Sequence, residues 1–239
     1  MKNLTDITFI LDRSGSMSGM TNDVIGGYKS FIEKQRAEVG ECLFSLVQFD
    51  DQYETPFTAV PIQNVSSELK FYPRGSTALR DALGKTINRV GERLRKIRER
   101  DRPSKVIIVV MTDGEENASH EFSMEQIRTM VQHQTDQYQW EFLFLGANID
   151  SFSVGTSYGV QLNKITNYSY TSGGLRGALE TVSCYASSSR KGEVFSQTLS
   201  QCQVKNEAEQ EGLLKTGFVQ TTGVCVPVGS GGTGTVTSK

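Results

Sequence analysis

The sequence predicts an α/β fold: a doubly wound, Rossmann-like sheet, mostly parallel, with one antiparallel edge strand and helices on both faces. Three observations carry this reading. Short apolar runs alternate with longer segments of helical period. Val106 to Met111 is the most apolar run in the chain and reads as a central strand covered on both faces. Gln52 to Ile62 alternates loosely and carries Pro56 and Pro61, which suits an edge strand reached through a turn at Asp50-Asp51.

In chain order, Ile7 to Leu11 is a short apolar run ended by Asp12 and a Ser/Gly cluster, so it reads as a buried strand followed by a loop. Asn22 to Val39 has apolar residues at Val24, Ile25, Tyr28, Phe31, Ile32 and Val39, a helical spacing, with Thr21 or Asn22 as N-cap. Cys42 to Phe49 is the second strand, and the proline-bearing edge strand follows. A helix is expected over Ala78 to Arg100, where Leu79, Leu83, Ile87, Val90, Leu94 and Ile97 recur at three- and four-residue steps before Pro103. Beyond the central strand come a helix over Phe122 to His133 and a strand over Trp140 to Leu145. A short helix over Ser151 to Gly159, a weak strand over Gln161 to Ile165 and a helix over Leu175 to Tyr185 complete the pattern.

After about Arg190 the pattern weakens, which divides the chain into a domain at 1–190 and a C-terminal extension at 191–239. Within the extension, Glu207 to Lys215 suits a short helix and Gly217 to Pro227 a strand. Gly229 to Gly234 reads as a flexible tail. No internal repeat is visible.

Composition narrows the function classes. The 239 residues are 37% hydrophobic and 22% charged, with a net charge of −2, so nothing draws the chain as a whole to nucleic acid or anionic lipid. Residues 1–11 are too short and too acidic for a signal peptide, and no run approaches the ~20 apolar residues of a bilayer span. A soluble, cytoplasmic protein is the expectation. Cys42, Cys184, Cys202 and Cys225 form no Cys-x-x-Cys pair, and Cys42 reads as a small core residue. His120 and His133 are the only histidines, which excludes a His-rich metal site. The sequons at Asn3, Asn64, Asn117 and Asn167 are chance matches without a secretory route.

Three separated motifs carry the chemistry. Asp12-Arg13-Ser14-Gly15-Ser16 follows the first strand, Gly75-Ser76-Thr77 opens the long helix, and Thr112-Asp113-Gly114 follows the most apolar strand. In a doubly wound sheet the first and fourth strands are neighbours where the strand order reverses, and ligands bind beyond the carboxyl ends of strands there. The predicted topology therefore brings Asp12 and Asp113 together across about 100 residues. Two carboxylates and three hydroxyls make an all-oxygen donor set, which selects Mg²⁺, Mn²⁺ or Ca²⁺ over Zn²⁺. If the hydroxyls make most direct contacts and the carboxylates act through water, the ion stays electrophilic. It then accepts one anionic ligand from outside, and a carboxylate on a partner protein suits it.

On these residues the chain resembles a von Willebrand factor type A (vWA) domain, over roughly residues 4 to 190 and of the bacterial or phage intracellular type. The pattern Asp-x-Ser-x-Ser, distant Thr, distant Asp is that family's metal-ion-dependent adhesion site (MIDAS). It maps onto Asp12, Ser14, Ser16, Thr77 and Asp113. The resemblance implies direct metal contacts from the two serines and, in the ligand-competent state, the threonine, with the aspartates acting through water. It also implies a protein-binding adaptor with no catalysis of its own. The partner class implied is an AAA-type ATPase or a stress-response assembly.

Other readings compete with each feature. Ser, Thr and Asp also cap helices and turns. A strand ending in Asp beside Mg²⁺ also describes haloacid-dehalogenase-like phosphatases, but these resemble Asp-x-Asp, and Ser14 stands where the second acid would be. A self-assembling structural protein is a third class. Asp50, Asp51, Glu115 and Glu116 read as solvated loop charge, and the basic run Arg93 to Lys105 as a solvated helix face. Met17 and Met20 read as packing under the first loop, with an apolar rim beside the metal as the alternative. Tyr168 and Tyr170 read as packing residues.

Overall fold

The computed structural model describes residues 2–193, 195 and 199–203. A six-stranded sheet is built from β1 (Lys2–Asp12), β2 (Glu41–Phe49), β3 (Tyr53–Pro61), β4 (Pro103–Thr112), β5 (Glu141–Gly146) and β6 (Ile165–Asn167). Its strand order is β3-β2-β1-β4-β5-β6, parallel throughout except for the antiparallel β2–β3 pair. The predicted fold class is the one observed. Pro56 and Pro61 lie on β3, an outer strand with one partner, where proline is tolerated.

Helices flank the sheet, among them α1 (Thr21–Ala37), α2 (Leu79–Arg95), α3 (Met124–Tyr138), α4 (Ser151–Ser157) and α5 (Ser172–Lys191), and residues 199–203 are also helical. The alternation along β1 divides the core. Ile7, Phe9 and Leu11 pack with Val24, Phe31 and Ile32 of α1 and Leu175, Ala178 and Val182 of α5. Ile10 faces the other way and packs with Leu83, Ile87 and Val90 of α2 and Ile127 and Val131 of α3. Cys42 is buried in the first cluster, as expected of a small core residue.

Several boundaries differ from the sequence reading. No side chain caps α1: Thr21 is its first residue, and Met20 holds the cap position after a 3₁₀ turn over Gly15–Met20. The long helix stops at Arg95 instead of Arg100, because the Arg102 guanidinium turns back and donates from Nε to the carbonyls of Leu94 and Ile97 at 3.0 Å each. α3 begins at Met124 behind a capping box of Ser123 and Gln126. The last strand begins only at Ile165, since Leu162–Lys164 forms a 3₁₀ turn. Past α5, Leu199 is buried in the α1/α5 cluster, and Gln203 Nε2 donates to the Gly174 carbonyl at 3.1 Å. The elements predicted over 207–215, 217–227 and 229–234 lie outside the described residues. Among the described residues no helix is long and apolar enough to cross a membrane.

Candidate metal centre

β1 and β4 are adjacent parallel strands, with Leu11 opposite Met111, so Asp12 and Asp113 emerge side by side at the carboxyl edge. β1 connects to β2 on one side and β4 to β5 on the other, which makes this the point where strand order reverses. Both oxygens of Asp12 are engaged: Oδ1 accepts from the Ser14 N–H at 2.7 Å and Oδ2 from Thr112 Oγ1 at 2.6 Å. Asp12 thus ties the first loop to the end of β4.

The hydroxyls continue outward from there. Ser14 Oγ lies 3.0 Å from Ser16 Oγ, and Ser16 Oγ donates to Asp113 Oδ1 at 2.7 Å. Asp113 Oδ2 is buried and has no hydrogen-bond partner among the described residues. Thr77 is held by its backbone: its N–H donates to Asn117 Oδ1 at 2.9 Å, and its carbonyl accepts from the N–H groups of Asn117 and Ala118 at 3.0 and 3.2 Å. A Cβ at Gly114 would lie 3.5 Å from Thr77 Oγ1 and 3.6 Å from Ser16 Oγ, so this glycine keeps open the space beside the two hydroxyls. The structure brings all five predicted residues to one place at the top of the sheet.

Burial pushes the Asp12 carboxyl up to about 6, against the pull of the Thr112 and Ser14 hydrogen bonds, with the nearby Asp113 charge adding to the rise. Burial likewise raises Asp113. No ion pair joins either aspartate to a cation among the described residues, although the neighbouring acids have their partners. A divalent cation fits this set: it would satisfy the orphaned Asp113 oxygen and offset two desolvated charges. Among the described residues no three His, Cys, Asp or Glu side chains converge, so such an ion would draw on hydroxyl donors.

The sequence reading missed several supports. Thr112, quoted in the third motif without a role, and Asn117, which looks like an ordinary loop polar in the sequence, are both hydrogen-bonded to site residues. Asp81, in the first turn of α2, accepts from the N–H groups of His120, Glu121 and Phe122 at 2.9–3.0 Å and so pins the loop after Asp113. Glu116 and Asp50 are not solvated loop charge. Glu116 accepts from the Arg80, Ala118 and Ser119 N–H groups, and Asp50 is fully buried among arginines. Asp51 and Glu115 are exposed as expected. Met17 and Met20 are buried and pack beneath the loop, so they form no rim. Tyr168 is buried with its hydroxyl on the Thr112 carbonyl at 3.3 Å, and Tyr170, partly buried, packs against the α1/α5 cluster as expected and donates to the Ser16 carbonyl at 2.5 Å.

A family model for the von Willebrand factor type A domain matches residues 6–193. The chain belongs to the von Willebrand factor type A family. Domains of this family commonly mediate protein–protein interaction. Among solved structures, the vWA chain is similar to proximal thread matrix protein 1 from the mussel byssus, whose MIDAS motif is occupied by zinc. That match has 17% identity and a TM-score of 0.57, covering 78% of this chain and 46% of the other. It is also similar to a von Willebrand factor type A protein from Catenulispora acidiphila, at 12% identity and a TM-score of 0.53, covering 75% of this chain and 41% of that one. This vWA chain therefore spans less than half of either structure, and at these identities the likeness is one of fold. A search of curated protein sequences returns no match.

Proposed function

We propose that this vWA domain is a Mg²⁺-dependent protein-interaction module, an adaptor or assembly factor, which captures an Asp or Glu carboxylate of a partner at a MIDAS. The observation that carries the reading is the unsatisfied, buried Asp113 Oδ2 beside the Ser14–Ser16 hydroxyl pair, with Thr77 facing the same opening. Ser14, Ser16 and Thr77 would hold the ion directly. Asp12, with both oxygens already engaged, would act through water, and Asp113 would supply the second balancing charge. Oxygen donors of this kind suit Mg²⁺, with Mn²⁺ or Ca²⁺ able to substitute. The bound ion would offer the partner an open coordination position.

An adaptor needs no general acid or nucleophile, and Ser14 occupies the place where a phosphohydrolase would carry its second acid. A cytoplasmic AAA-type ATPase or stress-response assembly is the partner that the family resemblance suggests. Calorimetry with Mg²⁺, Mn²⁺ and Ca²⁺ tests the site, followed by affinity capture from the native cell with Mg²⁺ and with chelator. Metal binding that is lost in Thr77→Ala, with capture that chelator abolishes, is the expected result. Failure to bind any of the three cations would sink the reading. Turnover of phosphate esters with added Mg²⁺ would replace it with hydrolysis.

A further inference from the structure

The loops that carry the serines and Thr77 come from distant parts of the chain, and something must hold them in register. Two backbone bonds join them directly: the Arg74 N–H donates to the Arg13 carbonyl at 2.8 Å and the Gly15 N–H to the Gly75 carbonyl at 3.2 Å. A cluster of four charged side chains lies against this seam. Arg13 Nε donates to Asp50 Oδ2 at 3.0 Å, and its fork donates to both oxygens of Glu54 at 2.8 and 2.7 Å. Arg74 donates from Nε to the same Asp50 oxygen at 2.8 Å and from Nη2 to Glu54 at 3.1 Å.

Asp50 is the pivot. It is fully buried, just past the end of β2, and its other carboxylate oxygen accepts from the Gln52 N–H at 2.6 Å. Its backbone carbonyl accepts from the N–H of Ala78, the residue after Thr77, at 2.9 Å. One residue therefore grips the serine loop through Arg13 and both flanks of Thr77 through Arg74 and Ala78. Arg13 and Asp50 are buried while Arg74 and Glu54 are half exposed, and the buried pair is a poor source of net stability but a strong geometric constraint, because an unpaired member is costly. A bidentate guanidinium fixes distance and orientation together.

We infer that Arg13, Asp50 and Arg74 are positioning residues of the metal centre, setting the distance of Thr77 from the Ser14–Ser16 pair and so the affinity for the cation. The inference rests on the proposed Mg²⁺ reading. None of the three touches the ion; they act through the loops. Loss of such outer supports typically weakens metal binding about 10- to 100-fold.

The test uses the full chain and Mg²⁺ and Mn²⁺ as probes. Arg13→Met and Asp50→Asn should each weaken both metals about tenfold or more by calorimetry, and Arg13→Lys, which keeps a charge but not the fork, should fall between them and wild type. Arg74→Met is the safeguard against misfolding, since Arg74 is half exposed, and it should also weaken binding. A second readout needs no metal: in chelator, hydrogen exchange of the Arg74 and Gly15 amides should quicken about tenfold, with β5 amides unchanged. Arg93→Met is the matched control. It breaks the pair of partly exposed Arg93 with buried Asp6 near the opposite ends of the strands and should lower the melting temperature while leaving metal affinity within about twofold. Wild-type metal affinity in Arg13→Met, Asp50→Asn and Arg74→Met, with slow Arg74 and Gly15 exchange, would overturn the inference and leave the Mg²⁺ reading standing. Absence of metal binding in wild type would overturn both.

Discussion

Ser16→Ala separates what the hydroxyl does for the fold from what it does for a cation. Ser16 joins Ser14 Oγ at 3.0 Å to Asp113 Oδ1 at 2.7 Å, and the other Asp113 oxygen is already without a partner among the described residues. Without metal, deleting the hydroxyl leaves the buried carboxylate less satisfied, a loss of about 1–3 kcal/mol for such a group. Ser16 is itself exposed, so water can take its place and the lower end applies. At about 2–4 °C per kcal/mol for a chain of this size, the metal-free melting temperature should fall by about 2–4 °C. With magnesium at 100 times its dissociation constant, wild type gains about 2.7 kcal/mol. A variant whose affinity has dropped about 100-fold gains only about 0.4 kcal/mol at the same concentration. Thermal scans by circular dichroism, in chelator and across a magnesium series, read both effects. Asp113→Asn is the companion. Burial raises the Asp113 carboxyl, so the charge is unfavourable in metal-free protein, and the amide should stabilise it at neutral pH while also losing the magnesium response. A magnesium shift of wild-type size in Ser16→Ala or Asp113→Asn would refute the assignment.

Gly75 has φ of +67°, and a Cβ there would lie 2.7 Å from Asp51 Oδ1, the free end of an exposed side chain. Gly75→Ala should therefore cost mainly the left-handed backbone penalty, about 1–2 kcal/mol by chemical denaturation. Tyr170→Phe removes the bond to the Ser16 carbonyl at a partly exposed position and should cost about 0.5 kcal/mol, with calorimetry reading any change in metal affinity. For the Asp6–Arg93 pair, Arg93→Met should cost about 3–5 kcal/mol at neutral pH by leaving a buried carboxylate unpaired, and Asp6→Asn less. Burial raises the Asp6 carboxyl above 3.8 in the fold, with Arg93 pulling it back. Its contribution is therefore complete in acid and lost as pH rises through the folded value. Denaturation of wild type against Asp6→Asn should show a steeper decline above about pH 4 in wild type. A parallel pair of curves would reject this.

The fold was legible because its strands are short and apolar and its crossover helices strongly periodic. Val106 to Met111 reads as a doubly covered strand, and the alternation Ile7, Phe9, Leu11 against Ile10 sorts directly into the two core clusters. The carboxyl-edge site was legible because strand order reverses between β1 and β4, so topology alone placed Asp12 beside Asp113. Helix ends were less so. The stop of α2 at Arg95 depends on Arg102 folding back, a contact that no local propensity encodes. The supports were hidden for the same reason. Asp81 bonding the loop at 120–122, Asn117 holding Thr77, and Asp50 bridging two arginines are each tertiary contacts of residues that look like surface polars in the chain.

Those hidden supports change the charge argument at the site. Counted from sequence, the carboxyl edge looks crowded with acids. In the fold, Asp50 and Glu54 face Arg13 and Arg74, Glu116 faces Arg80 and backbone N–H groups, and Asp81 is held by three backbone donors. Asp51 and Glu115 stand in water, where screening reduces them. Like Asp81, Asp12 and Asp113 are buried with no cation in ion-pair contact among the described residues, but they lack its three backbone donors, and their formal charge of −2 is that of one divalent ion. A centre so balanced exerts little long-range pull. With exposed Asp51 and Glu115 beside it, an acidic partner gains nothing from steering. On the proposed reading, affinity for a carboxylate would then come at short range, from the open coordination position of the ion, and the spacing of Ser14, Ser16 and Thr77 would matter more to capture than the charge of the surrounding surface.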